Sequence, residues 1–176
     1  MPRYVAFLRA VNVGKRTVPM ARLKEELEAL GFSKVSTFLN SGNAVFESRA
    51  KAESVEKKIE TALEKAFGFE VPTLVRSWAD VERIAAHKPY GDVTKPRTHM
   101  VAFLRNAPGK KVAQQIEALS NDVDTLKVKG REVHWLIEGG VSGTSLKGKD
   151  WGAMGGETTT TRNTTMLRKL VDKFRP

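Results

Sequence analysis

The pentapeptide Val5-Ala6-Phe7-Leu8-Arg9 recurs as Val101-Ala102-Phe103-Leu104-Arg105, and each copy runs into a polar loop that contains Asn. A short apolar run closed by Arg reads as a buried strand that delivers a cation to a sheet edge, so its recurrence implies a chain built of two related halves. From Tyr4 to Arg9 both alternating sets, Tyr4/Ala6/Leu8 and Val5/Phe7, are apolar. Such a strand has no face to offer water and is expected in the middle of a sheet.

After the loop Asn12-Val13-Gly14-Lys15-Arg16, Pro19 introduces Met20, Leu23, Leu27 and Leu30 at helical spacing, and Gly31 ends that helix. Strands are expected at Val35 to Leu39 and Asn43 to Glu47, joined by Asn40-Ser41-Gly42, a turn whose Gly can adopt positive φ. Ile59, Leu63 and Phe67 mark a second helix, with Glu53 placed to pair with Lys57, which Gly68 closes before a strand at Val71 to Arg76. The order β-α-β-β-α-β is the split unit of ferredoxin-like folds.

Ser77-Trp78-Ala79-Asp80 reads as a capping box for a short helix with Val81 and Ile84 inward, ended by Pro89 and Gly91. The second copy continues as a strand from His99 to Arg105 and a helix opened by Pro108 with Val112, Ile116 and Leu119. Strands follow at Thr125 to Lys129 and Glu132 to Ile137, joined at Gly130. Seven of the 14 glycines lie between Gly139 and Thr161, where periodicity is lost, so a long mobile loop is expected there. Met166, Leu167, Leu170, Val171 and Phe174 form the apolar face of a last helix, with Thr158 to Thr161 and Asn163 as capping candidates. The expected division is 1–77, a linking helix and loop at 78–96, and 97–176. The fold class is α+β, two ferredoxin-like halves of the β-α-β-β-α-β type with antiparallel sheets and a C-terminal helix.

A hydrophobic share of 40% over 176 residues suffices for one sizeable core or two small ones. The chain has no Cys, which excludes a disulfide framework and thiol chemistry, and His87, His99 and His134 are too far apart in sequence for a local metal-ligand motif. Neither a metal nor a cofactor is expected. No stretch approaches the ~20 apolar residues of a membrane span, so a cytoplasmic protein is expected. The net charge of +10 favours an anionic partner, either a small molecule or nucleic acid, but it divides as +4 up to Tyr90 and +6 beyond rather than forming a basic tail.

Two nucleotide and hydrolase motifs are incomplete. Gly143 to Lys149 has P-loop spacing, but Asp150 supplies no hydroxyl where Mg²⁺ would bind, and Gly140-Val141-Ser142-Gly143 lacks the second Gly of a nucleophile elbow. The RNA-recognition module shares the β-α-β-β-α-β order, yet Asn43 stands where its third strand would place a stacking ring.

In this order LRAVNVG, VPM ahead of an amphipathic helix, and LNSGNAVF resemble the bacterial family catalogued as domain of unknown function 1697. The resemblance spans nearly the whole chain and includes Arg9, Asn12, Val13, Gly14, Ser41, Gly42, Asn43, Arg162, Asn163, Lys169 and Leu170. Ala10 and Lys15 depart from the family's glycines, and Thr164 replaces an aromatic residue, which weakens a stacking role at that position. The resemblance implies an α+β fold of ferredoxin-like halves in a cytoplasmic bacterial protein, and no established activity.

Three groups of residues are candidates for binding. Arg9, Asn12 and Lys15 leave a buried strand into a loop ahead of a helix start, where amides and the helix dipole favour anions, although ion pairing and loop capping would use the same residues. Asn40, Ser41 and Asn43 flank a turn at the sheet edge, where a hairpin alone would also explain Asn and Gly. Arg162 and Asn163 are expected to open the last helix, with Lys169 behind them, and capping explains Asn163 but not a cation at a positive dipole end. The expected function is binding of an anionic, phosphate-bearing ligand, nucleotide or nucleic acid in a basic cleft. An enzyme acting on a small anion with the Gly-rich loop as lid, or a protein-interaction module, stays open.

Overall fold

The computed structural model describes residues 1–176 with the exception of Glu157. The chain divides into two compact units, 1–84 together with 170–176, and 85–169. The segment expected as a link is therefore shared, and the end of the chain returns to the first unit.

In the first unit β1 (Arg3–Leu8) pairs antiparallel with β3 (Asn43–Glu47) and with β4 (Thr73–Ser77), while β2 (Ser33–Thr37) pairs with β3, giving the order β2-β3-β1-β4. This is the ferredoxin-like order, and β1 is central and buried on both faces. Helix α1 (Met20–Ala29) contributes Leu23 and Leu27 to the core, and α2 (Ala52–Phe67) contributes Val55, Ile59 and Leu63 at steps of four. They meet Tyr4, Ala6 and Leu8 of β1 and Phe46 of β3, whose ring stacks on Phe32 at 4.7 Å. Strand β2 ends before the expected Leu39 because Leu39 takes a left-handed φ of 60°, which breaks the pleat. Gly68 closes α2 at φ 77°, a conformation that L side chains resist.

The second unit repeats the plan. Strand β5 (Thr98–Phe103) lies between β7 (Glu132–Ile137) and β8 (Thr160–Asn163), and β6 (Asp124–Lys129) forms the far edge, in the order β6-β7-β5-β8. Helix α4 (Lys110–Glu117) buries Ile116 and leaves Val112 39% exposed. Helix α3 (Trp78–Ala86) follows β4 directly, and α6 (Thr164–Phe174) follows β8 in the same way.

The expectation of a structureless loop from Gly139 to Thr161 is corrected. The segment holds a 3-10 turn at Val141–Gly143, helix α5 (Gly148–Ala153), a second 3-10 turn at Gly156–Thr158 and strand β8. It is built into the core: Met154 is fully buried and Trp151 meets Trp135 edge-on at 5.0 Å. Arg162 likewise lies in β8 opposite Val101 and does not open the helix. Thr-Thr-Arg-Asn has no apolar alternation to announce a strand, although Thr is β-branched and suits one.

The halves match in detail. Arg76 lies opposite Val5 as Arg162 lies opposite Val101, and each guanidinium donates to the carbonyl of the residue before it, Val75 at 3.1 Å and Thr161 at 2.8 Å. Ser77 accepts from the Asp80 N–H at 3.1 Å and Asn163 from the Thr165 N–H at 2.8 Å, so both strands end on the cap of the next helix. The amides of Leu8 and Leu104 each donate to the opposing hairpin, at Gly42 and Arg131, both at 2.8 Å.

Two sheet edges are closed by side chains. Glu60 and Glu56 of α2 accept from the N–H groups of Thr73 and Val75 on β4 at 2.9 and 2.8 Å. On β6, Ser120 and Glu117 accept from Leu126 and Val128, both at 2.9 Å. Outward amides that would template another strand are thereby occupied.

Asp124 of β6 ties the Gly-rich segment to the second sheet. Its buried carboxylate accepts from Trp135 Nε1 at 2.7 Å, Thr144 Oγ1 at 2.6 Å, and the Ser145 N–H and Oγ at 2.9 and 2.7 Å. Burial alone would raise its pKa, but the hydrogen bonds from Thr144, Ser145 and Trp135 outweigh it and hold the group below the ordinary carboxylate range. Asp124→Asn should cost about 2–3 kcal/mol at neutral pH, because an amide turns one acceptor into a donor facing donors. The folded pKa is depressed, so the wild-type advantage is complete above an unfolded value of about 3.9 and is lost as pH falls through the folded one. Denaturant melts of both proteins across pH check this, and equal stability at pH 7 would contradict it.

Candidate functional site

In the first unit, the loop from Arg9 to Val18 and the turn from Phe38 to Gly42 meet at one end of the sheet. The Asn12 side chain joins them: Nδ2 donates to the carbonyls of Val18 at 3.0 Å and Asn40 at 2.6 Å, and Oδ1 accepts from the Val18 N–H at 2.9 Å. Arg16 braces the same loop, with Nε donating to the Ala10 carbonyl at 3.0 Å, Nη2 to the Glu70 carbonyl, and the guanidinium 4.6 Å from the Phe69 ring centre. Asn43 is fully buried and donates to the Phe38 carbonyl at 2.7 Å and to Ser41 Oγ at 3.0 Å. Asn12 and Asn43 thus build the frame. Gly42 is required in it, since a Cβ there would stand 2.6 Å from Val11 Cγ2 and 2.8 Å from Leu8 Cβ.

What the frame presents is cationic and strained. Lys15, Asn40 and Ser41 are exposed and Arg9 is half-buried. Of the four non-glycine residues with positive φ among the described residues, three stand here: Ala10 at 52°, Asn12 at 57° and Leu39 at 60°. Val13 and Leu39 are exposed at 56% and 54%, placing apolar side chains beside the cations. Residues 9–18 and 38–42 include no Asp, Glu or His, and no acidic residue precedes Glu25. Such loops can hold and orient an anion, but bring no acid or base of their own. Three cations, Arg9, Lys15 and Arg16, with no acidic residue among residues 9–18 were legible in the sequence and are the signal that singles out this loop.

The C-terminal candidates belong to the second unit up to Lys169. Arg162 is buried in β8, where its guanidinium donates to Thr160 Oγ1 and the Thr161 carbonyl, both at 2.8 Å. Burial lowers its pKa to about 10, which leaves it charged at neutral pH. Asn163 caps α6, and Lys169 is exposed on that helix.

Sequence reasoning missed a histidine cluster in the second unit. His99 on β5 and His134 on β7 are buried with His99 Nε2 and His134 Nδ1 3.0 Å apart, and the His87 ring stands 4.7 Å from that of His134. Tyr90 packs edge-on to His99 at 5.3 Å, and its hydroxyl lies 2.6 Å from the His134 carbonyl and 3.0 Å from that of Thr125. Burial foremost, and then Glu117, raises the Tyr90 pKa. The cluster docks the 85–97 segment onto the second sheet, and no group of His and carboxylates suited to a metal ion occurs among the described residues.

Replacing Asn12 by Ala removes three hydrogen bonds and places a Cβ at φ 57° without local compensation. It should cost about 1–3 kcal/mol, and Asn12→Gly should recover about 1 kcal/mol of it; denaturant melts with Gly no better than Ala would contradict the strain. Burial, then Arg168 and His87, lowers the His99 pKa from 6.5 to about 4. The folded state therefore prefers neutral His99, so its contribution is whole above pH 6.5 and is lost as pH falls toward 4. His99→Gln should flatten that part of the stability profile, and an unchanged profile would contradict the assignment.

The comparisons agree with the fold. A solved structure described as a conserved bacterial protein, SP0830 from Streptococcus pneumoniae, is similar over 100% of this chain and 99% of its own, with a TM-score of 0.81 and 24% identity. No curated protein sequence matches the chain. No helix among the described residues is long and apolar enough to cross a membrane. The family model described as protein of unknown function (DUF1697) matches residues 1–134, and the chain belongs to that family.

Proposed function

We propose that the protein binds a phosphate-bearing anion at the strand-end loops of the first unit, in a cytoplasmic setting. The reading rests on one observation: of the four left-handed non-glycine residues among the described residues, three are held at a cationic end of the sheet that contains no carboxylate in either loop. Each such conformation costs on the order of 1 kcal/mol, and strain of this kind persists at ligand sites where backbone amides must point outward. Arg9 and Lys15 supply charge, Asn40 and Ser41 polar contacts, and exposed Val13 and Leu39 favour a ligand with an apolar portion beside its phosphate, as in a nucleotide. The loops' lack of acid or base groups favours binding over catalysis.

A second reading is backbone-directed nucleic-acid binding. A groove of about 600 Å³ along α2 carries Lys57, Lys58 and Lys65 beside Leu30 and Ala62. None of these lysines forms an ion pair among the described residues, Lys57 with Glu53 included.

Thermal-shift screening with pyrophosphate, ADP, ribose 5-phosphate and a short oligonucleotide, followed by calorimetry of the best binder, tests both readings. Arg9→Met should weaken phosphate binding about ten- to a hundred-fold, as for a charge-assisted contact worth ~1.5–3 kcal/mol, and Lys15→Met by less than about tenfold. If the oligonucleotide binds best, Lys57→Met should lower the salt slope by about one phosphate. Unchanged affinity in both Arg9→Met and Lys15→Met would overturn the first reading.

A further inference from the structure

We infer that the phosphate site proposed for the first unit is a nucleotide site, its base held in a corner formed by the rings of Phe38 and Phe174. The inference rests on that reading of the strand-end loops and adds the aromatic half of the ligand to it. Phe38 opens the turn that ends at Gly42, and its main chain is fixed on both sides: its N–H donates to the Asn43 carbonyl at 2.8 Å, and its carbonyl accepts from Asn43 Nδ2 at 2.7 Å. Two residues on, the Asn40 carbonyl accepts from Asn12 Nδ2, which binds this turn to the loop that carries Lys15. Two residues of chain span at most ~7 Å, so the Phe38 Cα lies within that distance of the Asn40 Cα, beside the anion loops.

The end of the chain supplies the second ring. Residues 170–176 belong to the first unit, and the Phe174 ring meets that of Phe38 edge-on, with centres 6.0 Å apart and planes at 88°. Both residues are half-buried, and neither belongs to the apolar core under α1 and α2. Perpendicular rings form a corner in which a third flat ring can stack on one and meet the other edge-on, the two arrangements that aromatic pairs prefer. Lys173 is exposed, and its ammonium lies 5.5 Å from the Phe38 ring centre and 5.4 Å from that of Phe174, near the ~6 Å outer limit of a cation–π contact. It forms no ion pair among the described residues, since its neighbour Asp172 pairs with Arg175 at 3.4 Å. Cationic loops without a carboxylate thus adjoin two rings and a further cation. A phosphate joined to a flat aromatic group matches both parts, whereas a sugar phosphate would leave the corner unused. One pair of rings accepts one base, while proteins that track a strand stack successive bases on aromatics, so the occupant is a free nucleotide rather than nucleic acid.

Calorimetry of the full chain with AMP, ribose 5-phosphate, pyrophosphate and a single-stranded tetranucleotide tests the assignment. AMP and ribose 5-phosphate carry the same phosphate and differ in the base, so AMP should bind about five- to a hundred-fold more tightly, as one base stacked on an aromatic side chain implies. In Phe174→Leu that ratio should fall toward one. In the wild type, AMP should shift the ring-proton resonances of Phe38 and Phe174 and ribose 5-phosphate should not, which decides the matter even if the variant folds poorly. Binding of pyrophosphate and ribose 5-phosphate with no gain for AMP would overturn this inference and leave the phosphate reading standing. A gain for AMP that depends on Phe174, with neither pyrophosphate nor ribose 5-phosphate bound, would keep the base in its corner and overturn the phosphate reading. Failure of all four ligands would overturn both, and tighter binding of the tetranucleotide than of AMP would overturn a free nucleotide as the occupant.

Discussion

A strand with no exposed face has one stable place in a small antiparallel sheet, the middle, and both β1 and β5 are of this kind. The rest of each unit follows from that burial. Two strands must flank the central one, helices must cover it, and the chain must leave its end through a loop that reaches the surface at once. In the first unit that exit is Arg9, and in the second it is Arg105. The same constraint explains the buried arginines Arg76 and Arg162, whose strands lie against the central one and whose guanidiniums are satisfied in part by their own backbone. A buried cation is tolerable only when so bonded, and the device is repeated in both units.

The repeat was legible wherever burial leaves a period. β3 and β7 have the bounds that alternation and turn residues imply, and Ser77 and Asp80 form the capping pair their spacing announces. β8 was not legible, since a polar edge strand has no apolar period, yet Arg162-Asn163 ahead of α6 parallels Arg76-Ser77 ahead of α3. Aligning the halves through that pair would have found the strand. The histidine cluster could not be read at all, because His87, His99 and His134 meet only through sheet pairing and the docking of the segment that follows α3.

Asn12 and Asn43 show how a polar loop residue divides between frame and function. The sequence left both uses open for each, and the structure places their amides in hydrogen bonds that hold the loops, as it places Arg162 and Asn163 in the frame of the second unit. Arg9, Lys15, Asn40 and Ser41 are then the residues of that set that the first unit presents around its left-handed backbone. Cationic loops that bring no acid or base of their own are suited to holding an anion rather than transforming it.

We propose this strained end of the first unit as a binding surface for phosphate. Hydrogen–deuterium exchange of the whole chain, with and without saturating pyrophosphate, addresses it directly. Slower exchange is expected in peptides covering residues 9–18 and 38–42, where ligand would occupy outward amides. Protection confined to other parts of the chain, with these two loops unchanged, would contradict it.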